Sequence, residues 1–133
     1  MIESRPMTID DFLTLMEANK EIYKEFDALN TNHKQELAQL RVGTGTAQGY
    51  YDGDKLVAVG GIQYIGLGEA WLVTVPKIKT DMKKTLLREA RNTLREDKKK
   101  LKLWRVFASS KISENFLKHL GFHKENVYSM TGF

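Results

Sequence analysis

Cysteine is absent from the 133-residue chain. Without a thiol there is no disulfide, no thiolate-held metal and no acyl-cysteine chemistry, and a reducing compartment suits such a sequence. Proline is scarce: Pro6 and Pro76 alone punctuate the chain. Long apolar runs are missing as well. The longest uncharged stretch opens at Leu56 and is broken by Gly60, Gly61, Gln63 and Gly66, too short and too interrupted to span a bilayer. The opening Met1-Ile2-Glu3-Ser4-Arg5-Pro6 lacks the apolar block of a secretory leader. The expectation is a cytoplasmic protein without a membrane partner.

Other absences narrow the chemistry. Neither Gly43-Thr44-Gly45 nor Gly66-Leu67-Gly68 continues as GxGxxG into a helix pattern, so both read as turns rather than a dinucleotide fingerprint. No GxSxG elbow supports a serine triad. His33, His119 and His123 share no helical or strand spacing with carboxylates, so no metal site is expected and surface or capping roles suffice.

What is present is globular: 41% hydrophobic and 29% charged residues, enough for a single domain over 1–133 with a core of its own. The formal charge of +4 is modest. It is concentrated, however, with Lys77, Lys79, Lys83, Lys84 and Arg88 in one group and Lys98, Lys99, Lys100, Lys102 and Arg105 in another. Such groups attract an anion, or simply form a solvated helix face; composition leaves both open. A nucleic-acid surface would interleave aromatic and basic side chains. Here the aromatics fall in strand patterns and the lysines mainly on helices, so nucleic acid is not an expected partner.

The periodicities give an order β-α-α-β-β-β-α-β-α-β-β. Residues 2–5 form a short strand stopped by Pro6. Thr8 and Asp11 have capping-box spacing, and Ile9, Phe12, Leu13, Met16 and Tyr23 predict a first helix over 9–26. Asn30-Thr31-Asn32 starts a second, ending before Gly43. Residues 46–51 and 56–65 read as a hairpin about Asp52-Gly53-Asp54-Lys55, and 69–75 as a strand ended by Pro76. Thr80 or Asp81 caps a long helix carrying Met82, Leu86, Leu87, Ala90 and Leu94. Residues 101–108 read as a strand buried on both faces, with Trp71 and Trp104 as core residues of the two central strands. A short helix closes at Gly121, and 122–133 has room for two short strands. The strand–helix–strand unit around Pro76 predicts a parallel pair in a mixed α/β fold.

The segment Ser110-Lys111-Ile112-Ser113-Glu114-Asn115-Phe116-Leu117-Lys118-His119-Leu120-Gly121-Phe122 resembles the strand–helix–Leu-Gly-Phe ending of the GNAT acetyltransferases. The upstream element order and the opening Ser4-Arg5-Pro6-Met7-Thr8 with Asp11 are similar to that superfamily too. A narrower likeness is to small GNAT-like internal virion or assembly proteins of short-tailed bacteriophages. It rests on Gly60-Gly61, Trp71-Leu72-Val73-Thr74, the Lys/Arg-rich helix and Phe116-Leu117-Lys118-His119-Leu120-Gly121.

The resemblance implies a mostly antiparallel GNAT-like sheet with a central parallel βαβ unit. It also implies acetyl-CoA as cofactor and a small-molecule or protein amine as acceptor. Backbone amides at Val73 and Val75 would hold the thioester carbonyl. Lys79, Thr80, Asp81, Met82, Lys83 and Lys84 fall at the pyrophosphate loop, where amides and helix dipole make an anion site. Ser110 stands where an asparagine is common. Glu69 occupies the place of the general base, and is equally well a solvated strand-end glutamate. Leu117 stands where a tyrosine usually protonates the leaving thiolate, with Tyr128 the nearby substitute. The family's loop reads Gln/Arg-x-x-Gly-x-Gly/Ala; here Ile78, Asp81 and Lys83 occupy those positions. Asp81 would repel a diphosphate by ~1 kcal/mol even at high effective dielectric, and Thr80-Asp81 reads equally as a helix cap. The phage likeness implies instead a catalytically silent protein that contacts a virion or host protein.

Overall fold

The sheet is built around a strand whose two edges are treated differently. In chain order the elements are β1 (Ile2–Pro6), α1 (Ile9–Ala18), α2 (Lys24–Asp27), α3 (Thr31–Gly43), β2 (Gly45–Asp52), β3 (Lys55–Tyr64), β4 (Gly68–Thr74), α4 (Thr80–Lys100), β5 (Arg105–Ala108), α5 (Glu114–Leu120), β6 (His123–Lys124) and β7 (Tyr128–Thr131). This computed structural model describes residues 1–109, 111–124 and 128–131, with the side chains of Lys124, Tyr128 and Thr131 outside that description. The strands form one sheet in the order β1-β2-β3-β4-β5-β7-β6. Every neighbouring pair is antiparallel except β4 and β5, whose parallel pairing needs the crossover that α4 supplies. The mixed α/β fold and its central βαβ unit are those the sequence predicts.

Helices cover both faces. On one, α1 and α3 lay Phe12, Leu15, Met16 and Ala38 over Val59, Trp71 and Val73. On the other, Leu86, Leu87, Ala90 and Leu94 of α4 and Leu117 and Leu120 of α5 cover Ala58, Ile62, Ala70, Leu72 and Val106. Local signals explain the starts and stops. The Thr8–Asp11 capping box forms in both directions, Asn30 Oδ1 accepts from the His33 amide at 2.9 Å, and Gly121 turns left-handed at φ 91° to end α5. Gly61 permits the close approach of β2, since a Cβ there would lie 2.1 Å from the Thr46 carbonyl oxygen.

Three expectations are corrected. The helix predicted over 9–26 is divided after Ala18 because Asn19 is buried there. Its Nδ2 donates to the Leu15 carbonyl at 2.8 Å and the Thr74 carbonyl at 2.9 Å, a competing set of bonds that ends the helix. The strand predicted over 101–108 begins only at Arg105, because α4 runs to Lys100 and closes in a two-bond C-terminal turn. Lys102 N donates to Lys99 O and Leu103 N to Lys98 O, each at 3.0 Å, with Lys102 left-handed at φ 56°. Trp104 therefore precedes the strand and is 60% exposed rather than core. Lastly, the cap of α4 is Lys79, not Thr80 or Asp81, and among the described residues no side chain accepts a capping bond from its first-turn amides.

Helix α4 is also tied to β2 by polar contacts. The Tyr50 hydroxyl bonds that of Thr93, and Gln48 Nε2 donates to Asp97 Oδ2 at 2.6 Å. Burial holds the Asp97 carboxyl above its usual range, with the Gln48 bond opposing. The folded state thus binds that proton more tightly than the unfolded chain, so the group's contribution to stability falls as pH rises from the unfolded value through the folded one. Asp97→Asn is expected to gain stability relative to the parent on going from acid to neutral pH in urea titrations; a constant difference would contradict this. Lys102→Gly, which relieves a left-handed lysine, is expected to stabilise by ~0.5–1 kcal/mol in the same assay.

Candidate functional site

The parallel pairing of β4 with β5 covers only Gly68↔Val106, Glu69↔Phe107 and Ala70↔Ala108. Ser109 N donates to Ala70 O at 2.8 Å, and among the described residues the ladder goes no further. The rest of β4 stays paired with β3 through Thr74, so its other edge opens into a gap. The direction of each amide follows from the antiparallel register. Val75 N donates to Val57 O at 2.9 Å; bonded pairs recur every second residue, so Val73, opposite Val59, also turns its amide to β3. The amides that face the gap are those of Leu72 and Thr74. Val73 and Val75, expected from the sequence as carbonyl-holding amides, spend theirs on the neighbouring strand.

Past the gap the chain turns at Pro76 and Lys77, the latter left-handed at φ 56°. A non-glycine residue held there carries ~1–2 kcal/mol of strain. Helix α4 then begins without a side-chain cap, which leaves the first-turn amides of Thr80, Asp81 and Met82 without a capping acceptor.

The residues proposed for the phosphate loop part onto two sides. Thr80, Lys83 and Lys84 line a groove of about 510 Å³ between α4 and α5, joined by Leu87, Arg88, Arg91, Asn115 and His119. Lys79, Asp81 and Met82 instead line a crevice of about 270 Å³ with Met1, Ile2, Asp52 and Thr85. The Asp81 carboxylate thus lies outside the basic groove. Lys83 Nζ sits 5.0 Å from the Phe116 ring centroid, tying the groove's two helices together. Among the described residues Arg91 Nε is buried with no hydrogen-bond partner, an orphan donor that a bound anion could satisfy. Arg88 belongs to the basic group the sequence singles out; Arg91 was missed there, though its spacing of seven from Lys84 puts it on the same helical face. His119, expected in a surface or capping role, and Asn115 share one face of α5. A third cavity of about 560 Å³ lies beside the gap, between Asn19 and Ile22 on one side and Thr74 to Ile78 on the other.

Glu69 is exposed on the opposite helical layer's face, two residues before Trp71. The Arg41 guanidinium stacks over the Trp71 ring at 4.7 Å. Among the described residues Arg41 Nη1 and Trp71 Nε1 are both buried without a hydrogen-bond partner, each ordinarily a penalty of ~1–3 kcal/mol. Burial pushes the Arg41 pKa down while Glu69 and then Tyr23 oppose; burial pushes the Tyr23 hydroxyl up, with Arg41 opposing. Lys111 Nζ reaches within 5.9 Å of the Tyr23 ring centroid from the far side of the gap. Neither Arg41 nor Tyr23 was expected as a site residue: Arg41 carries no local signal, and Tyr23 reads from its spacing only as an apolar helix position. Ser110 and the Tyr128 side chain lie outside the described residues; the Tyr128 backbone is in β7. Among the described residues no group of histidines and carboxylates could hold a metal.

No sequence-family profile matches the chain, and no curated protein does. Solved structures do. A GNAT-family acetyltransferase from Bacillus anthracis superposes with a TM-score of 0.67 at 17% identity, over 98% of this chain and 94% of that one. An acetyltransferase from Agrobacterium tumefaciens gives 0.74 at 11% identity, over 98% and 91%. A ribosomal-protein-S5-alanine acetyltransferase from Vibrio fischeri gives 0.66 at 17%, over 98% and 92%. The fold is that of the GNAT acetyltransferases. Because Asn19 braces the open edge of β4, Asn19→Ala is expected to lower stability by ~1–3 kcal/mol in chemical denaturation; an unchanged midpoint would contradict that bracing.

Proposed function

We propose that the protein is a cytoplasmic acyltransferase that moves an acetyl group from acetyl-CoA to an amine. The observation that carries this reading is the open edge of β4, with the Leu72 and Thr74 amides facing the gap beside an uncapped helix start and a basic groove. The residues present fit an acetyl-CoA of this charge. Lys84, Arg88, Arg91 and the Thr80 to Met82 amides would hold its phosphates, and the orphaned Arg91 Nε would gain a partner. Its loop lacks the glycines that allow the closest backbone approach, and side-chain cations take over that work.

When bound, acetyl-CoA would supply a thioester: the acceptor nitrogen would bond its carbonyl carbon as the C–S bond breaks, and the departing thiolate would take up the second proton that this nitrogen gives off on becoming an amide. The chain's own residues do the rest. Leu72 and Thr74 amides are fixed donors for a carbonyl oxygen that gains charge. An alkylammonium has a pKa near ~10.4, so it must lose a proton before its nitrogen can attack. Glu69, exposed on β4 in the paired rungs just before the gap opens, is the carboxylate we assign to take that proton.

A second reading rests on the same loop. Ile78, Asp81 and Lys83 where the family has its conserved loop residues, with Lys77 strained beside them, suit a GNAT-like phage protein that has lost turnover and acts by contact with a virion or host protein. Thermal unfolding separates the two. Acetyl-CoA at 100 times its Kd is expected to stabilise by ~2.7 kcal/mol, and Lys84→Glu with Arg88→Glu to abolish the shift. No shift at millimolar acetyl-CoA would favour the silent reading. Given turnover, Glu69→Gln is expected to slow it by ~10²-fold or more with acetyl-CoA binding unchanged.

A further inference from the structure

We propose that Arg41 anchors a carboxylate on the acceptor, so that the amine acetylated belongs to a molecule that also carries a carboxylate, an amino acid or a short peptide. The inference rests on the acyltransferase reading for its chemistry but on separate residues for its recognition.

Among the described residues Arg41 Nη1 and Trp71 Nε1 are buried donors without hydrogen-bond partners, on side chains stacked against each other. Unpartnered buried donors in contact call for an acceptor that the chain itself does not supply. Stacking on the indole fixes the guanidinium plane, and a fixed planar fork matches a carboxylate better than any other common acceptor. Glu69 lies close enough to act on Arg41 electrostatically, yet among the described residues the two do not close into an ion pair. A carboxylate and a guanidinium therefore stand near each other on the α1–α3 side of β4, beside the rungs that precede the gap. A zwitterion satisfies both: its ammonium toward Glu69, its carboxylate toward Arg41. Tyr23 and Lys111 extend the same wall. A polyamine, cationic at both ends, would instead meet Arg41 and Lys111 with like charge.

The test uses the full chain with acetyl-CoA and a panel of free amino acids, their carboxamides, the matching decarboxylated amines, and dipeptides with free amino ends. Thiol release gives kcat/KM, and calorimetry gives acceptor binding with and without acetyl-CoA. The expected result is a preference for the carboxylate over its amide of about 100-fold or more, largely in KM and binding. Arg41→Gln should bring the acid-to-amide ratio measured within that variant down to about one, and Arg41→Lys should restore part of the preference. Free acids against dipeptides separate the two carboxylate sources. Equal use or binding of acids and amides by the parent protein overturns the proposal, as does binding of no carboxylate at all. If acetyl-CoA binds and carboxylates do not matter, this inference fails and the acyltransferase reading stands. If carboxylates bind through Arg41 but acetyl-CoA does not, the reverse holds.

Discussion

A peptide strand must satisfy hydrogen bonds along two edges, and β4 satisfies only one of them in full. Its inner edge runs against β3 from Gly68 to Thr74. Its outer edge meets β5 over Gly68 to Ala70 and then faces open space. Backbone groups left this way need an outside partner. The chain braces that edge where ligand access is not required: Asn19 takes the Thr74 carbonyl, and Ser109 closes the last rung at Ala70. The donors that remain, Leu72 and Thr74, are held still by the strand on their other side. A rigid strand with spare amides is a better electrostatic platform than a loop, since no reorganisation is needed when charge develops near it.

Charge is distributed about that edge by layer. On the α4–α5 side, cations gather in the groove while Asp81 is turned into a separate crevice, so the one acidic residue of the first turn does not oppose an anion there. It complements the helix dipole instead. On the α1–α3 side, one carboxylate and one guanidinium stand near each other without pairing. A net charge of +4 says little about this; its division between two faces of one sheet says much more.

Much of the fold was legible because its signals are local. The Thr8–Asp11 box, the Asn30 cap, the stop at Pro76 and the left-handed Gly121 each act within a few residues. What was not legible depends on distant partners. Asn19 ends α1 through a bond to Thr74, far along the chain. Lys102 takes a left-handed position that glycine would normally announce, which moved the start of β5 and exposed Trp104. The site shows the same division. Lys83, Lys84 and Glu69 stood out by type and place, and Arg88 as one of the same basic group. Which amides of β4 point into the gap was hidden, because a register shift of one residue exchanges Val73 for Leu72. Arg41 was hidden because only packing on Trp71 gives it meaning.

The central claim is that the outer edge of β4 and the uncapped start of α4 together receive a thioester and its phosphates. Amide resonances of the isotopically labelled protein, followed while acetyl-CoA is titrated in, test it residue by residue. The account predicts that Leu72, Thr74 and the Thr80 to Met82 amides move most, and that Val73 and Val75, already bonded to β3, move little. Large shifts at Val73 and Val75 with Leu72 and Thr74 unmoved, or no shift along β4 at all, would contradict it.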